Sequence, residues 1–205
     1  MSNYLSDKFV LEKLKDMSHS KQLVYAYLAC RRLFMNYKYF SGNFHFGDPA
    51  ILNAAIDYIE SELFNNSHDE NTIKYFYREV EANAPTPGEF DTYLTSAALF
   101  SAGVIGNTLT YMLERDFKQI VALVQSSESV VYMHVVEIED YDQNDKSHFE
   151  KVAKHSLSIT EAEINKKIIE FLSSTETLIE SDIQILREIQ MDHKGSLNLY
   201  ESKRL

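Results

Sequence analysis

The sequence contains little glycine and proline. Its 205 residues include 6 Gly and 3 Pro, whereas average usage would give roughly 25 residues of the two types together. This shortage excludes collagen-like and low-complexity chains, and it argues against turn-rich sandwiches and barrels, which need both residues at their corners. A chain of this length buries roughly 70% of the surface that it exposes when unfolded. We therefore expect a single domain over residues 1–205.

Cysteine and signal-like segments are scarce as well. Cys30 is the only cysteine, which excludes an intramolecular disulfide and fits a reducing compartment. Residues 1–15 lack the apolar core of a secretory signal. The most apolar stretch, residues 94–112, is interrupted by Ser, Asn and Thr too often for a membrane span. These absences predict a cytoplasmic protein with no membrane partner.

Basic residues are outnumbered by acidic ones. Lys and Arg total 20 against 31 Asp and Glu, so the net charge is −11. This balance disfavours nucleic acid as a partner, because binding to a phosphate backbone relies on cations that displace counterions. The densest acidic stretch, with no base before Lys146, consists of Glu137, Glu139, Asp140, Asp142 and Asp145. Such a stretch is usually a solvated loop, and the alternative is a docking surface for a basic protein partner.

Between the few breaks, apolar residues recur with the period of an α-helix. Asp48 followed by Pro49 predicts the start of one helix, because Asp caps free amides and Pro suits the first helical position. Ser67 and Glu70 have the spacing of a capping box before a further helix. An earlier stripe advances in steps of four and three through Leu23, Tyr27, Cys30, Phe34 and Tyr37.

In the second half of the chain, residues 117–124 and 129–138 are both predicted as helices. The latter segment is rich in β-branched residues and could form a strand, but no partner strand is evident nearby. Residues 140–154 are predicted as a polar connection. Residues 160–193 carry the longest helical pattern, about 50 Å at 1.5 Å per residue, with a bend expected near residues 173–175. The prediction is an all-α bundle of about seven helices with a long C-terminal helix.

Spaced blocks of residues carry a family resemblance. They are Arg32, Asn36-Tyr37, Phe40 and Phe46-Gly47-Asp48, then Glu89-Phe90-Asp91-x-Tyr93, and a weaker tail of Gly195-Ser196-Leu197-Asn198-Leu199. Together these blocks resemble the bacterial YjaG-like family, domain-of-unknown-function family 416, over nearly the whole chain. The sequence departs from the family pattern at Met35, where Pro is expected before Asn-Tyr, so no helix break is implied there. The resemblance implies an all-helical fold, and it implies no activity.

The turn around Phe46 and Asp48 has two interpretations. In the structural one, Gly47 makes the turn, Asp48 caps the next helix, and the surrounding aromatic side chains belong to the core. In the functional one, the same corner is a ligand pocket with a carboxylate. The residues of that alternative site are Arg32, Tyr37, Phe46, Asp48 and Asp91. We favour the structural interpretation and keep the ligand site as the alternative.

Motifs for catalysis, metals and nucleotides are absent from the sequence. His134 and Glu137 share a helix face at i, i+3, but carboxylate-bridged bundle sites need further pairs, and no second one occurs. Cys30 lies in an apolar stripe, whereas a reactive thiolate needs an exposed electropositive setting. No Gly-x-Ser-x-Gly, Gly-x-Gly-x-x-Gly or P-loop pattern occurs. We therefore predict no catalytic residue, metal or cofactor.

Gly103 and Gly106 interrupt an apolar helical segment that also contains Ala97, Ala98 and Ala102. Each Gly costs about 1 kcal/mol relative to Ala inside a helix, which indicates that another helix approaches closely. In the favoured interpretation that helix belongs to the same chain. In the alternative it belongs to a second copy, and the face is the seam of a homodimer.

Two classes of function remain. The first is a non-enzymatic, acidic, helical protein that binds a basic partner through residues 137–145, and its concrete version is an immunity-type inhibitor of a basic toxin or nuclease. The second is an enzyme or small-ligand-binding protein whose site is the aromatic corner around Asp48. The net charge of −11 and the lack of catalytic motifs favour the first class.

Overall fold

The computed structural model describes residues 5–65, 67–142 and 144–200. Within these ranges the chain forms nine α-helices and one short 3-10 helix, with no strand, so the all-α prediction is confirmed. The helices are α1 Leu5–Lys15, α2 His19–Phe44, α3 Pro49–Ser61, α4 Glu70–Ala82, α5 Tyr93–Glu114, α6 Phe117–Ile138, α7 His148–Lys154, α8 Ser156–Ser174 and α9 Glu180–Gln190, followed by the 3-10 helix Asp192–Lys194.

Helices α2 and α5 form the centre of the bundle. Fifteen of the 26 residues of α2 are buried, and α5 packs against α2, α4 and α6. Ala97, Ala98 and Ala102 of α5 are almost fully buried. Their small side chains let neighbouring helices approach, and this explains why an all-round apolar helix occupies the middle of the fold.

By length and composition, α5 is also apolar enough to cross a membrane, contrary to the expectation drawn from its Ser, Asn and Thr residues. Just over half of its most apolar window, 56%, is buried inside the bundle. A helix buried in the core of a bundle can be as long and as apolar as a membrane span, so one such helix is weak evidence for a span. In the bundle α2, α3, α4 and α6 all pack against α5.

Side-chain caps set the start of several helices. Asp48 accepts a hydrogen bond from the backbone amide of Ala50 at 2.8 Å, which confirms the predicted start of α3 at Pro49. The capping box predicted at Ser67 is wrong. Asp69 is the cap of α4, and its carboxylate accepts hydrogen bonds from the amides of Asn71 and Thr72. An Asp placed immediately before the helix takes the role that the Ser67 spacing suggested.

Helix α6 is continuous from Phe117 to Ile138, so residues 129–138 are helical as predicted. The separation from residues 117–124 is wrong. The serines of the intervening segment stay helical because each hydroxyl donates to the carbonyl four residues earlier, Ser126 to Ala122 at 2.9 Å and Ser127 to Leu123 at 2.9 Å. These bonds satisfy the hydroxyls locally and leave the backbone helix intact.

The long C-terminal helix is wrong as predicted, because it is two helices, α8 and α9. The chain leaves the helical conformation at Thr175, whose backbone is extended at φ −85° and ψ 122°. The hydroxyls of Ser174 and Thr175 both donate to the Phe171 carbonyl and so terminate α8. The predicted polar connection also contains the seven-residue helix α7. The described chain thus has nine helices rather than about seven.

Candidate functional site

The acidic surface, defined as Glu137, Glu139, Asp140, Asp142 and Asp145, lies at the C-terminal end of α6 and in the connection to α7. All five residues are exposed. The last turn of α6 contains no basic residue, so the partial negative charge of the helix C-terminus adds to the same region. All five residues of the sequence-predicted partner site are therefore accessible to solvent.

Local contacts keep parts of the acidic surface in a fixed geometry. Asp145 accepts a hydrogen bond from the Ser147 amide at 2.9 Å and lies 3.4 Å from Lys151 Nζ. The bonds from Ser147, followed by the charge of Lys151, lower the pKa of Asp145 to about 2. Glu139 lies 3.5 Å from His155 Nε2. These carboxylates are ordered by neighbours yet still face solvent.

Two large apolar side chains are exposed beside the acidic surface. Ile138 is 49% exposed at the end of α6, and Phe149 is 40% exposed at the start of α7. The Phe149 ring packs on the rings of His148 and Tyr132, with centroids 3.9 and 5.8 Å away. Exposed apolar groups bordered by charge are typical of protein interaction sites.

The aromatic corner is a packed cluster. The ring of Phe40 is fully buried and lies 4.9 Å from Phe44, 5.9 Å from Phe46 and 5.2 Å from Phe90, measured between centroids. Phe46 and Phe90 also meet edge to face at 5.6 Å. These distances are those of directly touching rings. The aromatic residues that suggested a pocket fill the space between the end of α2 and the start of α5.

Asp48 stands at this corner as a helix cap. It is exposed, and its backbone amide donates to Asn83 Oδ1 at 2.8 Å. The Tyr37 hydroxyl donates to the Asn83 carbonyl at 2.6 Å, and burial, followed by the charge of Asp48, raises the pKa of Tyr37 to about 12. Gly47 has φ +64°, and a Cβ atom there would meet the Tyr37 hydroxyl. Capping and packing account for every feature of the corner.

The five residues of the alternative ligand site do not converge. Tyr37, Phe46 and Asp48 meet at the corner, and Asp91 is exposed next to Phe90. Arg32 points elsewhere, because its guanidinium pairs with Glu161 on α8 and donates to the carbonyl of Gln190. The guanidinium therefore supplies no charge to the corner.

The two glycines of α5 have different surroundings. A Cβ atom on Gly106 would lie 3.5 Å from the Tyr77 ring of α4, so this glycine sits at a helix crossing inside the chain. Gly103 is exposed, and a Cβ atom there would meet nothing within 4 Å. The approach of α4 explains Gly106. The homodimer seam stays a prediction that now rests on Gly103 alone.

Cys30 is fully buried against α5, with its sulfur 3.2 Å from the Thr108 hydroxyl. Burial raises the pKa of its thiol to about 12. A thiol in this setting is a packing residue, and this agrees with its place in the apolar stripe of α2.

A family model described as "Protein of unknown function (DUF416)" matches residues 9–199. The chain belongs to this family. Among solved structures it is similar to the crystal structure of a DUF416 family protein from Shewanella baltica OS155, with 23% identity and a TM-score of 0.82. The match covers 91% of this chain and 96% of that chain, and at this identity it shows a shared fold. No curated protein matches the chain.

The blocks that carry the DUF416 resemblance meet in space. The Asn36 amide donates to the Ser196 hydroxyl at 2.8 Å, so the C-terminal block docks on α2. Gly195 has φ +69°, and a Cβ atom there would lie 2.7 Å from Cβ of Met35. Helix α2 runs through Met35 without a break. In this DUF416 protein the recognisable residues therefore join the C-terminal segment to the middle of α2.

The sequence reasoning missed a cavity between α6, α7 and α8. Its volume is about 250 Å³. The described residues that line it are Ser127, Glu128, Val131, Tyr132, Val152, Ala153, Ser158, Glu161, Ala162 and Asn165. The small residues among them were the available signal, but periodicity alone does not show which helix faces meet.

A larger cavity of about 460 Å³ lies at the N-terminal end of α2. Lys21, Arg115 and His19 contribute to its lining, together with Glu176. Burial, followed by the charges of Arg115 and His68, lowers the pKa of His19. This cavity is the more cationic of the two, in an otherwise acidic protein.

Proposed function

We propose that this DUF416 protein is a non-enzymatic binding protein that engages a basic partner protein through the acidic surface. The observation that carries the proposal is that all five carboxylates are exposed in one stretch, with Ile138 and Phe149 exposed beside them. Concentrated charge of one sign steers a partner of opposite charge and fixes its orientation. The apolar side chains supply area that a partner can bury.

The concrete form of this proposal is an immunity-type inhibitor of a basic toxin or nuclease. A nuclease holds the phosphates of its substrate with cationic side chains. Carboxylates spaced along the acidic surface can pair with these cationic side chains in place of the phosphates. The net charge of −11 favours rapid association. The inhibitor needs no catalytic group for this role.

The partner can be tested by affinity capture from the native cell at low and high salt. In the test variant, Glu137→Gln, Asp140→Asn and Asp142→Asn remove three carboxylates. Asn tolerates the positive φ of 50° at position 140. The matched control variant, Glu81→Gln, Glu114→Gln and Glu163→Gln, removes three exposed carboxylates from other helices and carries the same net charge.

We expect the unmodified protein to capture a basic protein at low salt and to release most of it at high salt. The test variant should lose at least about tenfold in affinity, mostly through slower association, and the control variant should bind like the original. An equal loss of affinity in both variants would show that the acidic surface acts only through the net charge of the protein. Capture that ignores salt, or recovery of no basic protein, contradicts the proposal.

A further inference from the structure

The cavity between α6, α7 and α8 is a cleft that is half open to solvent. Of its described lining residues only Val131 and Val152 are buried, and the rest are partly or fully exposed. Ser127, Ala153 and Ala162 in its wall have small side chains, which leave room between the three helices. A surface cleft of this kind can receive a side chain of another protein.

Much of the wall of the cleft is apolar. Val131 and Val152 contribute aliphatic side chains, and the ring of Tyr132 lies beside them. The ring of Phe149, which is 40% exposed, stacks on Tyr132 with the two centroids 5.8 Å apart. Phe149 also lies one turn before Ala153 on the same face of α7. The apolar wall therefore extends outward to an exposed aromatic ring, and a partner that covers it releases water from apolar surface.

The cleft borders the acidic surface at two points. The Tyr132 hydroxyl lies 2.5 Å from His148 Nε2, and His148 Nδ1 donates to the carbonyl of Asp145 at 2.6 Å. Glu139 lies 3.5 Å from His155 Nε2, and His155 is the cap of α8, whose first turns line the cleft. Direct contacts therefore connect the wall of the cleft to both ends of the connection between α6 and α8.

The carboxylates in the wall of the cleft are already engaged. Glu161 pairs with Arg32, and Glu128 also has an interaction within the protein. No lysine or arginine occurs among the described residues that line the cleft. An inserted group therefore meets mainly apolar surface, which favours an uncharged side chain, because a charge taken out of water needs a partner of its own.

The carboxylates that can meet a basic partner lie outside the cleft. Between residues 137 and 154, six acidic residues outnumber three lysines. Lys151 pairs with Asp145 at 3.4 Å, and Lys154 pairs with Glu150 at 2.5 Å. Within the part of the chain that the structure describes, three exposed carboxylates of the acidic surface have no ion pair, Glu137, Asp140 and Asp142. A negative surface thus adjoins an apolar cleft.

We propose that the partner docks through a basic segment with one aromatic anchor, whose ring inserts into the cleft while lysine or arginine residues beside it pair with the acidic surface. The volume of about 250 Å³ is below the roughly 300 to 1,000 Å³ of drug-sized sites, so one side chain fills it. Interfaces commonly depend on a few buried anchors, with charge setting orientation and association rate. This inference rests on the proposed function, because the same acidic surface supplies the charge.

Short peptides with blocked ends test the anchor and the charge separately. The probes are KKAFAKK, its alanine counterpart KKAAAKK and the uncharged peptide QQAFAQQ. Chemical-shift titrations at low and physiological salt give the affinities and the residues contacted. We expect KKAFAKK to bind at least about fivefold tighter than either other peptide, because it alone combines charge with an anchor. Its largest shifts should include Tyr132 and Ala153.

A filled cleft should remove the preference for the anchor. Ala153 is exposed, so Ala153→Leu places a larger side chain in the cleft and leaves the core unchanged. This variant should bring the affinities for KKAFAKK and KKAAAKK within about twofold of each other. The matched control is Ala54→Leu, at an exposed alanine of α3, which should keep the original preference. Circular dichroism and the unfolding midpoint check that each variant is folded.

The triple variant of the acidic surface, Glu137→Gln with Asp140→Asn and Asp142→Asn, tests the charge. It should weaken the binding of both lysine peptides and keep the preference for phenylalanine. If KKAFAKK binds this variant and the original protein equally, the acidic surface is not used, and the proposed function loses its support as well.

Other outcomes overturn the anchor and leave the docking of a basic protein intact. They are equal affinity for KKAFAKK and KKAAAKK in the original protein, a preference that Ala153→Leu does not change, or no binding of any peptide. Sedimentation equilibrium without peptide gives a further check. A dimer that Ala153→Leu dissociates would assign the cleft to a second copy of the chain, which also contradicts the inference.

Discussion

Arg32 and Glu161 form an ion pair that joins α2 to α8 across 129 positions of sequence. The Nε atom of Arg32 lies 2.8 Å from Oε2 of Glu161, and the two side chains are only 8% and 16% exposed. A second guanidinium nitrogen donates to the Gln190 carbonyl at the end of α9. One side chain therefore links α2 to α8 and to the end of α9.

Removing one member of this pair should destabilise the fold strongly. In Glu161→Gln the buried guanidinium of Arg32 keeps its charge and loses its partner, which costs about 3–5 kcal/mol in comparable buried pairs. Urea unfolding followed by circular dichroism measures the free energy of unfolding. The control is Glu170→Gln, because Glu170 lies 3.9 Å from Lys166 on the surface, and such pairs contribute about 0–1 kcal/mol.

A double variant tests whether the charge itself causes the loss. Arg32→Met with Glu161→Leu removes both charges and keeps apolar volume, which in other proteins is often neutral. We expect the double variant to be more stable than Glu161→Gln alone. A double variant as unstable as the single one would mean that the hydrogen bond from Arg32 to Gln190 holds the structure.

Two glycine substitutions should change stability in opposite directions. Gly47→Ala places a Cβ atom against the Tyr37 hydroxyl at φ +64°, and the left-handed conformation alone costs about 1–2 kcal/mol. Gly103→Ala adds a methyl group to open space in a helix and should stabilise the fold by about 0.5–1 kcal/mol. Thermal and urea unfolding of both variants check the signs.

The second of these substitutions also tests the homodimer. If a second copy packs on the exposed face at Gly103, the added methyl group should lower the association constant in sedimentation equilibrium. If Gly103→Ala stabilises the fold and leaves the mass from sedimentation equilibrium unchanged, the α5 face at Gly103 is in contact with solvent and not with a second copy. Gly103→Leu provides a stronger version of the same experiment, because the larger side chain would keep two helices apart.

The sequence pattern predicted where helices exist better than where they end. The stripe of apolar residues continues through Leu178 and Ile179, which lie between α8 and α9. The apolar periodicity therefore predicted one helix where the structure has two. The break depends on the extended backbone at Thr175 and on hydroxyls that bond to Phe171. Ser and Thr hydroxyls make the same bonds inside helices, so their presence in the sequence does not by itself predict a helix end. Tertiary packing decides whether the helix stops there.

The candidate sites were predictable to different degrees. Exposure of the acidic surface followed from a run of carboxylates, since isolated ionised groups are rarely buried. The partner of Arg32 was not predictable, because Glu161 is 129 residues away and periodicity gives no information on pairing between helices. The cavity was missed for the same reason, as its small residues come from three separate helices.

Cys30 should be unreactive in the native protein. Its sulfur is fully buried, and burial raises the pKa of the thiol to about 12, so almost no thiolate is present at pH 8. Ellman's reagent at pH 8 should label well under one thiol per chain in native conditions. In concentrated guanidinium it should label the single cysteine fully. Rapid labelling of the native protein would instead show that the contact between α2 and α5 opens readily.

Acid should destabilise the protein through His134. Burial, followed by the charge of His155, lowers the pKa of His134 to about 4 in the folded state, whereas an unfolded histidine titrates near 6.5. Below about pH 6.5 the unfolded chain therefore binds a proton that the folded chain does not. The stabilisation is complete above this pH and is lost as the pH falls toward 4, at up to about 1.4 kcal/mol per pH unit.

The variant His134→Gln separates this contribution from the rest of the chain. Gln keeps a polar group near the Tyr93 hydroxyl, which lies 3.0 Å from His134 Nδ1, but it cannot titrate. Urea unfolding at pH 7.5, 6.0 and 5.0 should show a shallower loss of stability in this variant than in the original protein. His193→Gln, at an exposed position, should follow the original curve. Parallel curves for His134→Gln and the original protein would assign the acid sensitivity to other groups, of which His19, whose pKa is also lowered, is the first to test.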